Sequence, residues 1–186
     1  MAFTDVEYKF KKIGKNVQIG RTVYFRYPEE VEIGDNVIID EFCYFTTAVK
    51  IGNYVHIAPS CSIIGGKESE LIMSDYSGLA AGTRVLCGSD DYVNGPFTNP
   101  TIPAEFRPNT KKGKVVVAKH AIIGTNVVIH PNVKIGEGAA VGSLSLVTKD
   151  LEAWQVYAGI PAKIIKARNK ELILDGENRF LEYLKK

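Results

Sequence analysis

A period of six runs through residues 117–150 and constrains the fold more than any other feature of the chain. Val117, Ile123, Ile129, Ile135, Val141 and Val147 each lead a six. Four places after the first five of these stand Ala121, Val127, Val133, Ala139 and Ser145. An α-helix would return its apolar positions every three or four residues, and this stretch does not. Apolar residues at offsets zero and four, restarting at six, suit short strands separated by tight bends, with alternate residues on one side. Gly124, Gly136 and Gly142 each follow a lead residue, where a side chain would be unwelcome.

The same phase begins at Ile13 and Ile19, falters between Phe25 and Glu32, and then runs through Ile33, Ile39, Phe45, Ile51, Ile57 and Ile63. It resumes at Met73, Leu79 and Val85 after four extra residues around Gly65-Gly66-Lys67-Glu68, which predict a protruding turn. Residues 91–116 are different, with four prolines, two glycines and no sustained period. A loop this long within a domain is uncommon and points to function, and Tyr92, Phe97 and Phe106 give it side chains with which to dock. Sixes that stack into coils make a solenoid with capped ends. The chain therefore reads as one all-β domain over residues 1–186, a parallel β-helix. Its N-terminal cap is expected at 1–12, its coils at 13–90 and 117–150, and its protruding loop at 91–116. A C-terminal helical tail is expected over 164–186, where Phe180, Leu181 and Leu184 fall at helical spacing.

Composition narrows the function. A formal net charge of +2, with no basic block beyond Lys111, Lys112 and Lys114, argues against nucleic-acid binding. No apolar run is long enough to span a membrane, and the first twelve residues lack an apolar signal core, so a cytoplasmic protein is expected. Cys43, Cys61 and Cys87 are odd in number and lack CxxC spacing, so they read as buried thiols rather than disulfides or zinc ligands.

The sixes, the long loop, Val141-Gly142-Ser143-Leu144-Ser145-Leu146-Val147-Thr148-Lys149-Asp150 and the later Ala158-Gly159-Ile160-Pro161-Ala162-Lys163 together resemble the hexapeptide-repeat acyltransferases. The likeness covers nearly the whole chain. It implies a left-handed β-helix that forms homotrimers and uses acetyl-CoA as co-substrate without a metal. Residues 87–92 and 98–103, Cys-Gly-Ser-Asp-Asp-Tyr and Thr-Asn-Pro-Thr-Ile-Pro, are similar to a subgroup from lipopolysaccharide and O-antigen gene sets. That subgroup includes enzymes acetylating nucleotide-linked amino-deoxy sugars, such as dTDP-4-amino-4,6-dideoxyglucose. The resemblance implies a coenzyme ridge of Thr125, Ser143, Thr148 and Lys149, with Pro161, Lys163 and Lys166 toward the adenine and phosphate end. Cations suit that end because phosphate is met by concentrated positive charge.

Acyl transfer needs a nucleophile, a path for its proton and a donor for the carbonyl oxygen. Three histidines are available, His56, His120 and His130. His56 ends the six Ile-Gly-Asn-Tyr-Val-His, at an expected corner, and the segment Val55-His56-Ile57-Ala58-Pro59 is similar to one carrying a histidine near the acetyl group in related amino-sugar N-acetyltransferases. An imidazole there is suited to accept the acceptor's proton. His120 is expected at a turn and is the second candidate; His130 reads as structural. Two departures from the relatives stand out. Ser89-Asp90-Asp91-Tyr92 occupies the mouth of the loop, where sugar O-acetyltransferases have a histidine-proline pair, and Thr47 occupies the place of an upstream base. Asp91 is expected to orient an imidazole or hold an ammonium, with Ser89, Asp90 and Tyr92 beside the acceptor. The missing loop histidine favours an amine acceptor, since a neutral amine needs less help than a hydroxyl; a sugar hydroxyl is the alternative. A zinc hydratase on the same solenoid would need a closely spaced histidine pair, and His120 and His130 are ten residues apart. A non-catalytic scaffold would need neither the long loop nor the coenzyme-tail motif.

Overall fold

In the computed structural model of the protein, residues 8–186 are described. The assignment of 1–12 as a cap thus falls largely outside them, but Tyr8 and Phe10 set their rings edge-on against Phe25, at 5.3 and 5.1 Å, and close the first coil.

The solenoid makes about seven turns, and each turn passes three flat faces. On the first face, Lys12–Ile13, Val31–Ile33, the ends of Tyr44–Ile51 and Ser62–Met73, Lys114–Val117 and Lys134–Ile135 pair in parallel. The second face stacks Gln18–Ile38–His56–Gly78–Ile122–Ala140–Val156 as a single outward row. The third runs Tyr24–Tyr44–Ser62–Arg84–Val128–Leu146. Strands of two or three residues suffice because each is bonded to the coil above and the coil below. The lead residues point inward: Ile19, Ile39, Ile57, Leu79, Ile123 and Val141 form one buried column behind the second face. Each such side chain contributes about 1.5–3 kcal/mol when fully removed from water. Gly124 shows why bulk is excluded beside a lead residue, since a Cβ there would lie 2.7 Å from the Ser143 nitrogen.

Four expectations need correction. The insertion at Gly65-Gly66-Lys67-Glu68 is not a protruding turn. Ser62–Met73 is one continuous strand, with its irregular register taken up opposite Thr46–Ala48 and with Gly66 at φ +78°. The loop ends earlier than residue 116, because Lys111–Lys112 pairs antiparallel with Gly88–Ser89 as a neck and Lys114–Val117 is already coil. The solenoid continues past residue 150, where Gln155–Ala158 pairs in parallel with Ala140–Val141. The tail is not helical from 164: Lys163–Ala167 turns back as a strand antiparallel to Gln155–Ala158, and helix α1 occupies Lys170–Tyr183. Asn169 caps α1 by accepting the Leu172 N–H at 3.0 Å.

The faces differ outside. The first is charged and paired, with Lys11–Glu32, Lys50–Glu70 and Lys114–Glu70 each at 2.8 Å. Burial pushes the Glu70 carboxyl up, but Lys114 and Lys50 together hold it below the usual carboxylate range. The second and third faces expose Ile38, Ile122, Tyr24, Tyr44 and Ile64. Among the described residues no helix is long and apolar enough to cross a membrane.

Candidate active site

The second face carries a groove of 410 Å³ lined by Tyr54, His56, Ala58, Tyr76, Ser77, Gly78, Leu79, Ala80, Ala81 and Ile122. Its existence follows from the outward row. Below His56 the row offers Gly78, which projects nothing, before Ile122 closes the gap. His56 stands in the strand His56–Ile57 rather than at a corner, with its side chain 55% exposed. Its Nε2 lies 2.8 Å from Asp40 Oδ2. A carboxylate accepting the Nε2–H leaves Nδ1 with the lone pair, the form in which an imidazole takes a proton.

Asp40, the partner of His56, is the candidate residue that sequence reasoning missed, although a signal was there. Residues one place after each lead on this face are Gly20, Asp40, Ala58, Ala80, Gly124, Gly142 and Ala158. One acid stands in a column of otherwise very small residues. Because Ile38 pairs with His56, the acid two places on from Ile38 is a diagonal neighbour of the imidazole. Thr47, which occupies the upstream base position, is buried and donates to the Ser69 carbonyl, so it belongs to the interior.

The other histidines have different surroundings. His120 is at a turn with φ +59°, is 8% exposed, and stacks on Tyr76 with centroids 5.2 Å apart. Its Nε2 meets Glu177 Oε2 of α1 at 2.9 Å, so it holds the helix. His130 is half-buried on the third face, its N–H donating to the Val147 carbonyl.

The residues at the loop mouth lie beyond the third face. Ser89 is in the neck, opposite Lys111. Asp90 Oδ1 is 3.7 Å from Arg107 Nη1, a partner that motif reading did not single out, and Arg107 Nε also donates to the Ile102 carbonyl at 2.9 Å. Asp91 caps a turn by accepting the Val93 and Asn94 N–H groups at 3.0 and 3.1 Å. Those two backbone donors hold its carboxyl below the ordinary range. Tyr92 and Val93 project at 79% and 86% exposure. A single chain therefore does not bring Asp91 to His56: one belongs to the second face, the other follows the third.

The expected coenzyme residues are all exposed. Thr125 sits directly above Ser143, the carbonyl of Thr125 accepting the Leu144 N–H at 2.9 Å. Thr148 and Lys149 do not share that ridge; they follow Leu146–Val147 on the third face and occupy the next corner. Lys149 instead joins Lys163 in lining a groove of 350 Å³ with Asp150, Glu152, Tyr157 and Ala162. Pro161 precedes Ala162, whose N–H bonds the Leu146 carbonyl, and Lys166 lies opposite Val156 on the returning strand. The three cysteines are buried; burial pushes the Cys87 thiol up to about 12, and the Cys43 and Cys61 thiols donate to the Ala58 and Ala80 carbonyls. Among the described residues no group of three His, Cys, Asp or Glu side chains could hold a metal ion.

Comparison with known proteins places this geometry. Residues 30–65 match the family described as "Bacterial transferase hexapeptide (six repeats)". The chain is 38% identical over 170 residues to dTDP-4-amino-4,6-dideoxy-D-glucose acyltransferase of Escherichia coli, covering 90% of this chain and 87% of the relative. Among solved structures it superposes on AntD, an N-acyltransferase from Bacillus cereus in complex with dTDP and 3-hydroxybutyryl-CoA. The TM-score is 0.89 and the identity 40%, over 95% of this chain and 93% of the other. A variant of AntD in complex with dTDP-4-amino-4,6-dideoxyglucose and coenzyme A matches at 41% identity and TM-score 0.88, over 94% and 91% of the two chains. The solenoid is the left-handed β-helix of such proteins.

Proposed function

Since the chain belongs to the hexapeptide-repeat acyltransferases, we propose that it transfers an acetyl group from coenzyme A to the amine of a dTDP-linked amino-deoxy sugar, in the assembly of a bacterial surface polysaccharide such as O-antigen. The observation that carries this reading is the groove on the second face: His56, held by Asp40, in a mostly apolar wall of Ala58, Leu79, Ala80, Ala81 and Ile122, with Tyr54 and Tyr76 beside it. Such a wall suits a hexose that has lost hydroxyls and carries a methyl. The relatives at 38–41% identity that act on or bind dTDP-4-amino-4,6-dideoxyglucose support the same acceptor class.

In this scheme the acceptor amine gives its proton to His56 Nδ1 as its nitrogen attacks the thioester carbonyl. The N–C bond forms, the C–S bond breaks, and the leaving thiolate takes a proton. Asp40 stabilises the imidazolium that forms between those steps. Coenzyme A would lie along the C-terminal coils, its arm beside Thr125 and Ser143 and its phosphates toward Lys149, Pro161, Lys163 and Lys166, with Thr148 at the corner next to Lys149. Exposed lysines in a groove fit phosphate, as the chemistry of such groups requires.

A homotrimer completes the site. The loop bearing Ser89, Asp90, Asp91 and Tyr92 follows the third face, so it contributes to an acceptor at His56 only from a neighbouring subunit. The exposed apolar residues of the second and third faces, with Phe42 and Leu144 at the corner between them, suit burial in such an assembly, and the charged first face suits water. The buried free thiols accord with a reducing cytoplasm.

Thiol release from acetyl-CoA, measured with dTDP-linked 4-amino-4,6-dideoxyhexoses and the matching hydroxyl sugars, tests the reading. Turnover confined to the amino sugars is expected. Turnover on the hydroxyl sugars would make this an O-acetyltransferase, and faster release from 3-hydroxybutyryl-CoA would change the donor.

A further inference from the structure

One corner of the solenoid, between the first and second faces, is turned by a residue with positive φ in every coil: Asn16, Asn36, Tyr54, Tyr76, His120, Gly138 and Trp154. In the first two coils that residue is asparagine, whose short polar side chain suits this backbone region, and Asn16 Nδ2 bonds Asn36 Oδ1 at 3.1 Å. From the third coil onward the non-glycine residues carry rings, although a bulky residue at positive φ is uncommon. The rings form a column. Tyr54 stacks on Tyr76 at 5.3 Å and 11°, and Tyr76 on His120 at 5.2 Å and 9°. Gly138 interrupts it because the Trp154 ring covers that place; a Cβ there would come within 2.3 Å of it.

Helix α1 lies along these ringed coils. Arg168 leads into it by donating to the carbonyls of His120 and Gly138 at 2.8 and 2.9 Å. Lys170 stands 5.5 Å over the Trp154 ring. Glu177 takes both Lys119 and His120. One turn further, Phe180 sets its edge on Tyr54 at 5.1 Å and on Tyr76 at 6.3 Å. Tyr54 and Tyr76 are also two of the residues lining the His56 groove. No α1 residue lines the groove itself; the helix reaches it through these two rings.

We infer that Phe180 and Glu177 are positioning residues for acceptor binding, holding Tyr54 and Tyr76 as the wall of the groove in which the proposed acyl transfer takes place. This rests on the reading of that groove as the acceptor site. Neither residue touches the reacting atoms; they act through the tyrosines.

The test compares the full-length protein with Phe180→Ala, Phe180→Tyr and Glu177→Gln. In Phe180→Ala the acceptor KM should rise about tenfold, with kcat and the coenzyme KM changed less than about twofold, since a misplaced wall weakens positioning and leaves the chemistry intact. Phe180→Tyr, which restores a ring, should recover the KM, and Glu177→Gln should give a smaller rise. A lowered melting temperature with an unchanged acceptor KM would overturn the inference and leave α1 as a strap alone. Labelling with 3-fluorotyrosine decides the coupling without turnover. The ¹⁹F signals of Tyr54 and Tyr76, assigned through Tyr54→Phe and Tyr76→Phe, should move in Phe180→Ala and in Glu177→Gln. Should the wild-type protein acetylate none of the amino sugars, the proposed function fails while these signals still report on the helix. Signals that stay put in both variants overturn the inference whatever the acceptor; where Phe180→Ala does not fold, signals that stay put in Glu177→Gln alone overturn it.

Discussion

His56 and His120 are both histidines paired through Nε2 with a carboxylate, at 2.8 and 2.9 Å, yet their surroundings are opposite. His56 keeps 55% of its side chain exposed beside a groove, and its partner Asp40 is part of the same face. His120 keeps 10%, lies against Tyr76, and meets a carboxylate delivered by the C-terminal helix. Pair geometry is therefore no guide to chemistry. An imidazole that must exchange protons with a substrate needs an open side, while one that fastens a helix is better with none.

Substitutions that break this contrast follow in order of expected effect. His56→Asn should lower kcat for acyl transfer by about 10²–10⁴-fold with coenzyme affinity kept, whereas His120→Asn should leave kcat nearly unchanged and lower the melting temperature, having removed a pair worth about 1.5–3 kcal/mol. A catalytic loss in His120→Asn equal to that in His56→Asn would erase the distinction. Gly78→Val fills the groove beside His56 without crowding the backbone, since a Cβ at Gly78 meets nothing closer than the His56 carbonyl at 3.5 Å. It should cut kcat/KM for the acceptor by about 100-fold while the circular-dichroism melt stays near that of the wild type. Asp40→Asn should cost about tenfold in kcat and displace the pH–rate profile, since an amide cannot stabilise the imidazolium as a carboxylate does.

Acid sharpens the comparison from the other side. The Lys119 ammonium, and after it His120, hold the Glu177 carboxyl below its ordinary value. A depressed folded value means that this contribution is whole above the unfolded value of about 4.3 and is lost as pH falls through the lower folded one. Trp154 is the only tryptophan and lies under Lys170, so its fluorescence should report loosening of α1 below about pH 4, and the change should vanish in Glu177→Gln. The smallest effect belongs to the coenzyme side. Lys163→Ala with Lys166→Ala should weaken coenzyme binding by about three- to tenfold in titration calorimetry, as exposed charges do, and leave kcat alone.

Much of this molecule was legible in the chain. From Ile19 onward the lead residues became core, as did partners four places on such as Cys61 after Ile57 and Val127 after Ile123, because alternation along a two-residue strand fixes which side chain points inward; Ile13, in the end coil, stays 50% exposed. The small column that contains Asp40 was also legible, had each place in the six been followed separately. The insertion at Gly65-Gly66-Lys67-Glu68 was misread because glycines mark a bend or a bulge equally well, and only the neighbouring strand decides between them. The returning strand Lys163–Ala167 was misread as helix because its alternative partner, Gln155–Ala158, is visible only once the chain has turned back on itself.

What the sequence determined by itself was therefore the period and the inward columns, which depend on contacts between one coil and the next. What only the tertiary structure decided was the company each histidine keeps. Asp40 reaches His56 because an eighteen-residue coil sets Ile38 beside it, and Glu177 reaches His120 across 57 residues because α1 folds back along the ringed corner. Exposure, which separates a reactive imidazole from a fastening one, depends on what folds over it, and that is set by docking rather than by any residue's immediate neighbours.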